Sequence, residues 1–88
     1  MDDNLEKDFI TIASELRKEI LNIEEYVKLF KHNVATGYTT IIETGEMHSD
    51  KSEILANITL AYRHLEDARM RIGKSIQAYD GGTSVYNR

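Results

Sequence analysis

The chain has 88 residues with no cysteine and no proline; 30% of its residues are charged, 41% are apolar, and its formal net charge is −4. One small domain is the natural reading, and the composition excludes a disulfide scaffold, argues against a thiolate-held zinc site and disfavours a general DNA or RNA binder. No apolar run approaches the roughly 18–20 residues that a bilayer crossing needs, and the acidic start is unlike a signal peptide, so a soluble cytoplasmic protein with no membrane partner is expected.

The first predicted element is a long helix over about residues 3–32. Asp2, Asp3 and Asn4 are good N-cap residues. Behind them Leu5, Phe9, Ile12, Leu16, Ile20, Ile23, Val27 and Phe30 recur at gaps of three and four, the spacing of one helical face. Lys28 and Lys31 lie near the expected negative end.

Residues 33–50 form the predicted connection, longer than a tight helix–helix turn. Tyr38-Thr39-Thr40-Ile41-Ile42-Glu43 is rich in β-branched residues between Gly37 and Gly45. Periodicity leaves a short strand and a brief extra helical turn both open.

A second helix is predicted over about residues 51–79. Asp50-Lys51-Ser52-Glu53 has the form of a capping box. Ile54, Ile58, Ala61, Leu65, Ala68, Ile72, Ile76 and Tyr79 follow at helical gaps, and Asp80-Gly81-Gly82 supplies the stop. A short tail, residues 80–88, completes the chain. The fold class is therefore all-α, an antiparallel helical hairpin of two long helices with an intervening loop.

Two helices make only one seam. Ile10, Ala13, Leu21, Tyr26 and Leu29 widen the apolar surface of the first helix beyond what one antiparallel partner covers. Self-association into an oligomeric bundle is the expected remedy.

Charge is uneven along the chain. Residues 1–32 hold eight acids and five bases, whereas residues 52–88 hold four acids and five bases. Four of those last five, Arg63, Arg69, Arg71 and Lys74, fall within twelve residues. On a helical projection the core face of the second helix centres on Leu65, Ala68, Ile72 and Tyr79. Nearly opposite run Arg63, Asp67, Met70, Lys74 and Gln77, with Tyr62, Glu66, Arg69 and Gly73 flanking one side and Arg71 the other.

A solvated charged face is the simplest account of that row, but two residues resist it. Gly73 costs about 1 kcal/mol relative to alanine inside a helix, and such a glycine often marks close approach by another backbone or a ligand. Met70 is an apolar side chain amid charges, as expected where a second subunit or a nucleobase covers it. Arg71 and Lys74 are suited to phosphate, and the rings of Tyr62, Tyr79 and Tyr86 to a base.

Catalytic constellations are missing from the sequence. There is no thiol nucleophile, no phosphate-binding glycine loop, and no Glu-x-x-His unit for a di-iron bundle. His64 with Asp67 sits at i, i+3 on the second helix and could in principle bind a metal, but it reads more simply as a boundary or solvated pair; His32 and His48 read as caps or surface residues. No metal, no cofactor and no enzymatic activity are expected.

The run Leu65-Glu66-Asp67-Ala68-Arg69-Met70-Arg71-Ile72-Gly73-Lys74 resembles the phage helical-hairpin sponges directed against bacterial immunity, the anti-CBASS and anti-Thoeris hairpin family. The likeness spans about residues 52–80 and lies in Leu65, Ala68, Met70 and Lys74. It implies a hairpin assembled into compact homo-oligomers, often hexamers, in the cytoplasm of an infected bacterium. It also implies that cyclic di- or trinucleotides, or cyclic ADP-ribose isomers, are held without being cut. Lys74 then stands where such sponges place a phosphate-meeting arginine, and Arg71, nearly one turn away, is the candidate for the missing guanidinium fork. The ligand-binding residues expected on these grounds are Arg63, Arg69, Met70, Arg71, Gly73, Lys74 and Tyr79. The competing expectation is a structural or regulatory protein-interaction hairpin with no nucleotide ligand.

Overall fold

A computed structural model of the chain describes residues 8–42 and 49–79. It holds two helices, α1 over Phe9–Thr36 and α2 over Lys51–Tyr79, and they pack antiparallel as a hairpin. The expected fold class is observed. Its Cα radius of gyration is 18.1 Å, against about 12 Å for a compact domain of this length, so the molecule is a rod.

Each helix starts where an aspartate replaces the missing backbone partner. Asp8 is extended (φ −73°, ψ 168°), and its Oδ1 accepts from Thr11 N at 2.8 Å. The Thr11 backbone N–H holds the Asp8 carboxyl below its ordinary pKa, helped by the Thr11 hydroxyl and the Ile10 backbone N–H. The described helix thus begins at Phe9, not at about residue 3; residues 1–7, with the caps expected at Asp2, Asp3 and Asn4, lie outside the described part. At α2, Asp50 Oδ1 accepts from Glu53 N at 3.1 Å. Only half of the capping box forms, because the Glu53 carboxylate accepts from Asn57 Nδ2 at 3.2 Å instead of turning back.

The end of α1 lies four residues beyond the expected position. Val34, continuing the i, i+4 spacing from Phe30, is buried in the seam, and the first residue able to turn left-handed is Gly37, at φ 88°. Gly37 N donates to Val34 O at 3.3 Å and Thr39 N to Asn33 O at 2.9 Å. Lys51 Nζ reaches back from the first turn of α2 to Ala35 O at 3.2 Å, tying the start of one helix to the end of the other. Residues 38–42 form neither a strand nor a helical turn; Glu43, Gly45 and His48 lie outside the described residues. The second helix matches its expected bounds at Lys51 and Tyr79. The stop at Asp80-Gly81-Gly82, Tyr86 and the rest of the tail fall outside the description.

The seam itself differs from expectation. Buried from α1 are Ala13, Glu24 and Val34, and from α2 Ile58, Gly73 and Ile76. Ala68 and Tyr79, expected at the core centre of α2, are exposed, and Leu65 and Ile72 are half-buried. At 100° per residue the true seam of α2 is turned by about 70° from the apolar centre. The turn brings Arg69 and Gly73 inward and leaves an apolar flank uncovered. Helix α1 is turned likewise: Phe9, Ile12, Leu16, Ile23 and Phe30 are all at least 36% exposed.

Candidate functional site

The candidate residues separate into three environments. Arg69 and Gly73 belong to the seam. Glu24 is 1% exposed, and its carboxylate takes both arms of the Arg69 guanidinium, Oε2 from Nε at 2.6 Å and Oε1 from Nη2 at 3.2 Å. A carboxylate this deep requires such a charge-assisted, two-pronged partner. One layer along, Arg17 Nε donates to the backbone carbonyl of Arg69 at 3.3 Å.

Gly73 explains how Arg17 gets there. A Cβ built on Gly73 would lie 3.3 Å from Arg17 Nε. Residue 73 is one helical turn beyond Arg69, so the missing side chain uncovers the Arg69 carbonyl that Arg17 meets. The close approach inferred from this glycine is real, but what approaches is an arginine of the same chain. In the lone hairpin Gly73 is packed against Arg17 and the Arg69 guanidinium is engaged by Glu24, so both hold the hairpin together.

Tyr79 is in the second environment, at the open end of the hairpin. Its ring stacks on Phe9 with centroids 4.9 Å apart and planes 15° from parallel. The two apolar faces expected to pair thus do meet at this end, but with Phe9 43% and Tyr79 61% exposed.

Arg63, Met70, Arg71 and Lys74 form the third group, all exposed on α2. Arg63, Met70 and Lys74 share one outward strip, while Arg71 is turned about 60° from Lys74 towards the opposite flank. None of the three cations makes an ion pair or a side-chain hydrogen bond with another described residue. Met70 is 45% exposed amid them. Arg63 and Lys74 are eleven residues apart, about 16 Å along the axis, so the strip offers two anion contacts rather than one cradle.

The sequence reading passed over a groove on the same side of the seam. It is about 210 Å³ and lined by Val27, Lys28 and Lys31 from α1 and Ile58, Thr59 and Tyr62 from α2. Two ammonium groups here flank an aromatic ring and an apolar floor, and Arg63 follows Tyr62 on the outer side. The signal for it was the Lys28/Lys31 pair at i, i+3, which only the cross-seam pairing of the helices connects with Tyr62.

His64 and Asp67 are exposed on α2, and among the described residues no three histidine or acidic groups gather into a metal site. No described helix is long and apolar enough to cross a membrane. Comparison with family models, curated proteins and solved structures finds no match to this chain.

Proposed function

We propose that this protein is a non-catalytic sponge of phage or prophage origin, working in the cytoplasm of an infected bacterium. Its ligand is a cyclic oligonucleotide or a cyclic ADP-ribose type second messenger of antiviral immunity, and it works as a homo-oligomer. The observation that carries the reading is the α2 strip itself: exposed Met70 between the uncommitted cations Arg63 and Lys74, in the run Leu65–Lys74 that resembles the hairpin sponges. Phosphate oxygens would meet Lys74 and Arg63, with Arg71 the adjacent guanidinium. The groove of Lys28, Lys31 and Tyr62 supplies further cations and a ring against which a base can stack. Holding a messenger needs no general base or metal. It needs a slow off-rate, which favours a preorganised site.

The test is to incubate the purified chain with cyclic di- and trinucleotides and cyclic ADP-ribose isomers, then heat it. Intact nucleotide released on heating supports the sponge and identifies its ligand. Cleaved nucleotide would make the protein an enzyme. If every nucleotide stays in the buffer, the second reading replaces the first: a structural or regulatory interaction hairpin. The observation favouring that alternative is the apolar flank left open beside the seam.

A further inference from the structure

The open flank has a definite pattern. Phe9, Leu16, Ile23 and Phe30 repeat every seven residues along α1 and are 43–50% exposed. Along α2 the repeat has two rows, Ile58, Leu65, Ile72 and Tyr79, then Ile54, Ala61, Ala68 and Ser75. Both helices turn these rows to the same side of the hairpin. One groove there is lined by Phe9, Ile12 and Leu16 with Ile72 and Ser75, and another by Phe30 with Ile54 and Asn57. A seven-residue apolar repeat is the mark of a helix seam in a bundle, and here all of it but Ile58 lies outside the seam between α1 and α2.

We infer that this face is covered by a second copy of the same chain, with α1 of each protomer lying antiparallel along α2 of the other about a two-fold axis parallel to the helices. Three observations select that occupant and that arrangement.

The first is size. Large side chains stand out from α1, while the exposed row of α2 is small at Ala61, Ala68 and Ser75. Phe9 is level with Tyr79, and Arg17 with Gly73. The two-fold keeps these levels, so Leu16 of one copy comes over the gap between Ala68 and Ser75 of the other, and Ile23 over the gap between Ala61 and Ala68. Packing α1 on α1 would set large against large.

The second is charge. The outer edge of the face on α1 carries Glu15 and Glu19, beside Ile12 and Leu16. The outer edge on α2 carries His64 and Arg71. The same two-fold puts Arg71 at the level of Glu19 of the other copy. Each hairpin thus holds both halves of a complementary pair, which is what an isologous interface requires.

The third is area. Phe9, Ile12, Leu16, Ile23, Phe30 and Tyr79 are 36–61% exposed; at roughly 150–250 Å² per large side chain they leave on the order of 500 Å² uncovered. With the half-buried Leu65 and Ile72 and the alanines between, the face approaches the roughly 800 Å² that each partner of a stable pair contributes.

The arrangement gives the proposed homo-oligomer its contact face but needs no nucleotide. It leaves Arg63, Met70, Lys74 and the Lys28–Tyr62 groove on the outside, and it withdraws Arg71 from the phosphate contacts by engaging its charge at the interface rim.

The chain has no native cysteine, which makes the test direct. The full-length wild type is sized by light scattering, and Glu19→Cys, Arg71→Cys and the double variant are oxidised and run without reductant. Within one hairpin these two positions lie on opposite outer edges, about 20 Å apart, too far for a disulfide. Expected are a solution mass of twice the 10.1 kDa chain, or an even multiple of it, a covalent dimer from the double variant, and no cross-link from either single variant. A monomeric or odd-numbered mass overturns the inference. So does a cross-link from a single variant, or a doubled mass without one from the double variant.

Discussion

The seam and the open flank of this hairpin are built the wrong way round for a protein that works as a lone pair of helices. Charge is inside, where Glu24 grips Arg69 and Arg17 caps an Arg69 carbonyl. Phenylalanine, leucine and isoleucine are outside. A buried ion pair adds little net stability, because desolvation cancels most of its attraction. The flank holds the apolar area that would normally drive folding. The contrast teaches that the ion pair in the seam selects how the two helices align, while a large share of the apolar area open to stabilising burial lies on the flank, beside the small core of Ala13, Val34, Ile58 and Ile76.

Substitutions on the two sides separate these roles. The largest effect is expected from Ile76→Ala in the seam, which is 4% exposed and should lose about 2–5 kcal/mol in urea unfolding. Ile23→Ala on the flank, 50% exposed in the lone hairpin but covered in the dimer, should cost nearly as much, whereas a loss well under that of Ile76→Ala would mean that the flank stays wet.

Breaking the ion pair comes next. Arg69→Met strands the Glu24 carboxylate and should destabilise by about 3 kcal/mol, the low end for a buried pair since Arg69 is partly exposed. Glu24→Leu combined with Arg69→Met should recover most of that loss, as an apolar pair of similar volume does elsewhere. Recovery failing in the double variant would mean that the charges contribute more than alignment.

Gly73 gives a smaller effect. Gly73→Ala should come out near neutral, because about 1 kcal/mol of helix propensity opposes the displacement of Arg17 by a few tenths of an ångström. Gly73→Leu should expel Arg17 from the Arg69 carbonyl and cost about 1–2 kcal/mol. Lys74→Ala and Arg63→Ala, outside both regions, should leave unfolding within about 0.5 kcal/mol of wild type while weakening nucleotide capture.

The smallest is at Asp8. Its folded pKa is lowered, so its contribution is present above the ordinary value of 3.8 and disappears as pH falls through the lower folded value. The Thr11 amide resonance should follow that titration, and Asp8→Ala should flatten it.

Much of the architecture was legible in the sequence. The bounds of α2 followed from Asp50, unbroken periodicity and the glycines after Tyr79. The bounds of α1 were displaced at both ends because the caps chosen, Asp8 and Gly37, depend on which of several suitable residues the seam leaves free. The orientation of the seam was not legible. Periodicity reports the mean apolar direction of a helix, and in α2 that direction points at the flank, about 70° from the seam. Arg69 therefore looked like a surface cation, and the depth of Glu24 gave no signal, since a charged residue reads as solvated until its partner across the hairpin is known. Met70, Arg63 and Lys74 were placed outward correctly because they lie far from either apolar direction.

The Glu24–Arg69 clasp has one more consequence. Both helices repeat their apolar pattern every seven residues, so greasy contacts alone would tolerate α2 sliding along α1 by one heptad, about 10 Å. Such a slip would exchange Arg69 for Tyr62 or Ile76 opposite Glu24 and carry Gly73 away from Arg17. A carboxylate buried without its cation costs several kcal/mol. The clasp therefore acts as the notch of a key, rejecting the shifted hairpins that the repetitive greasy teeth would accept.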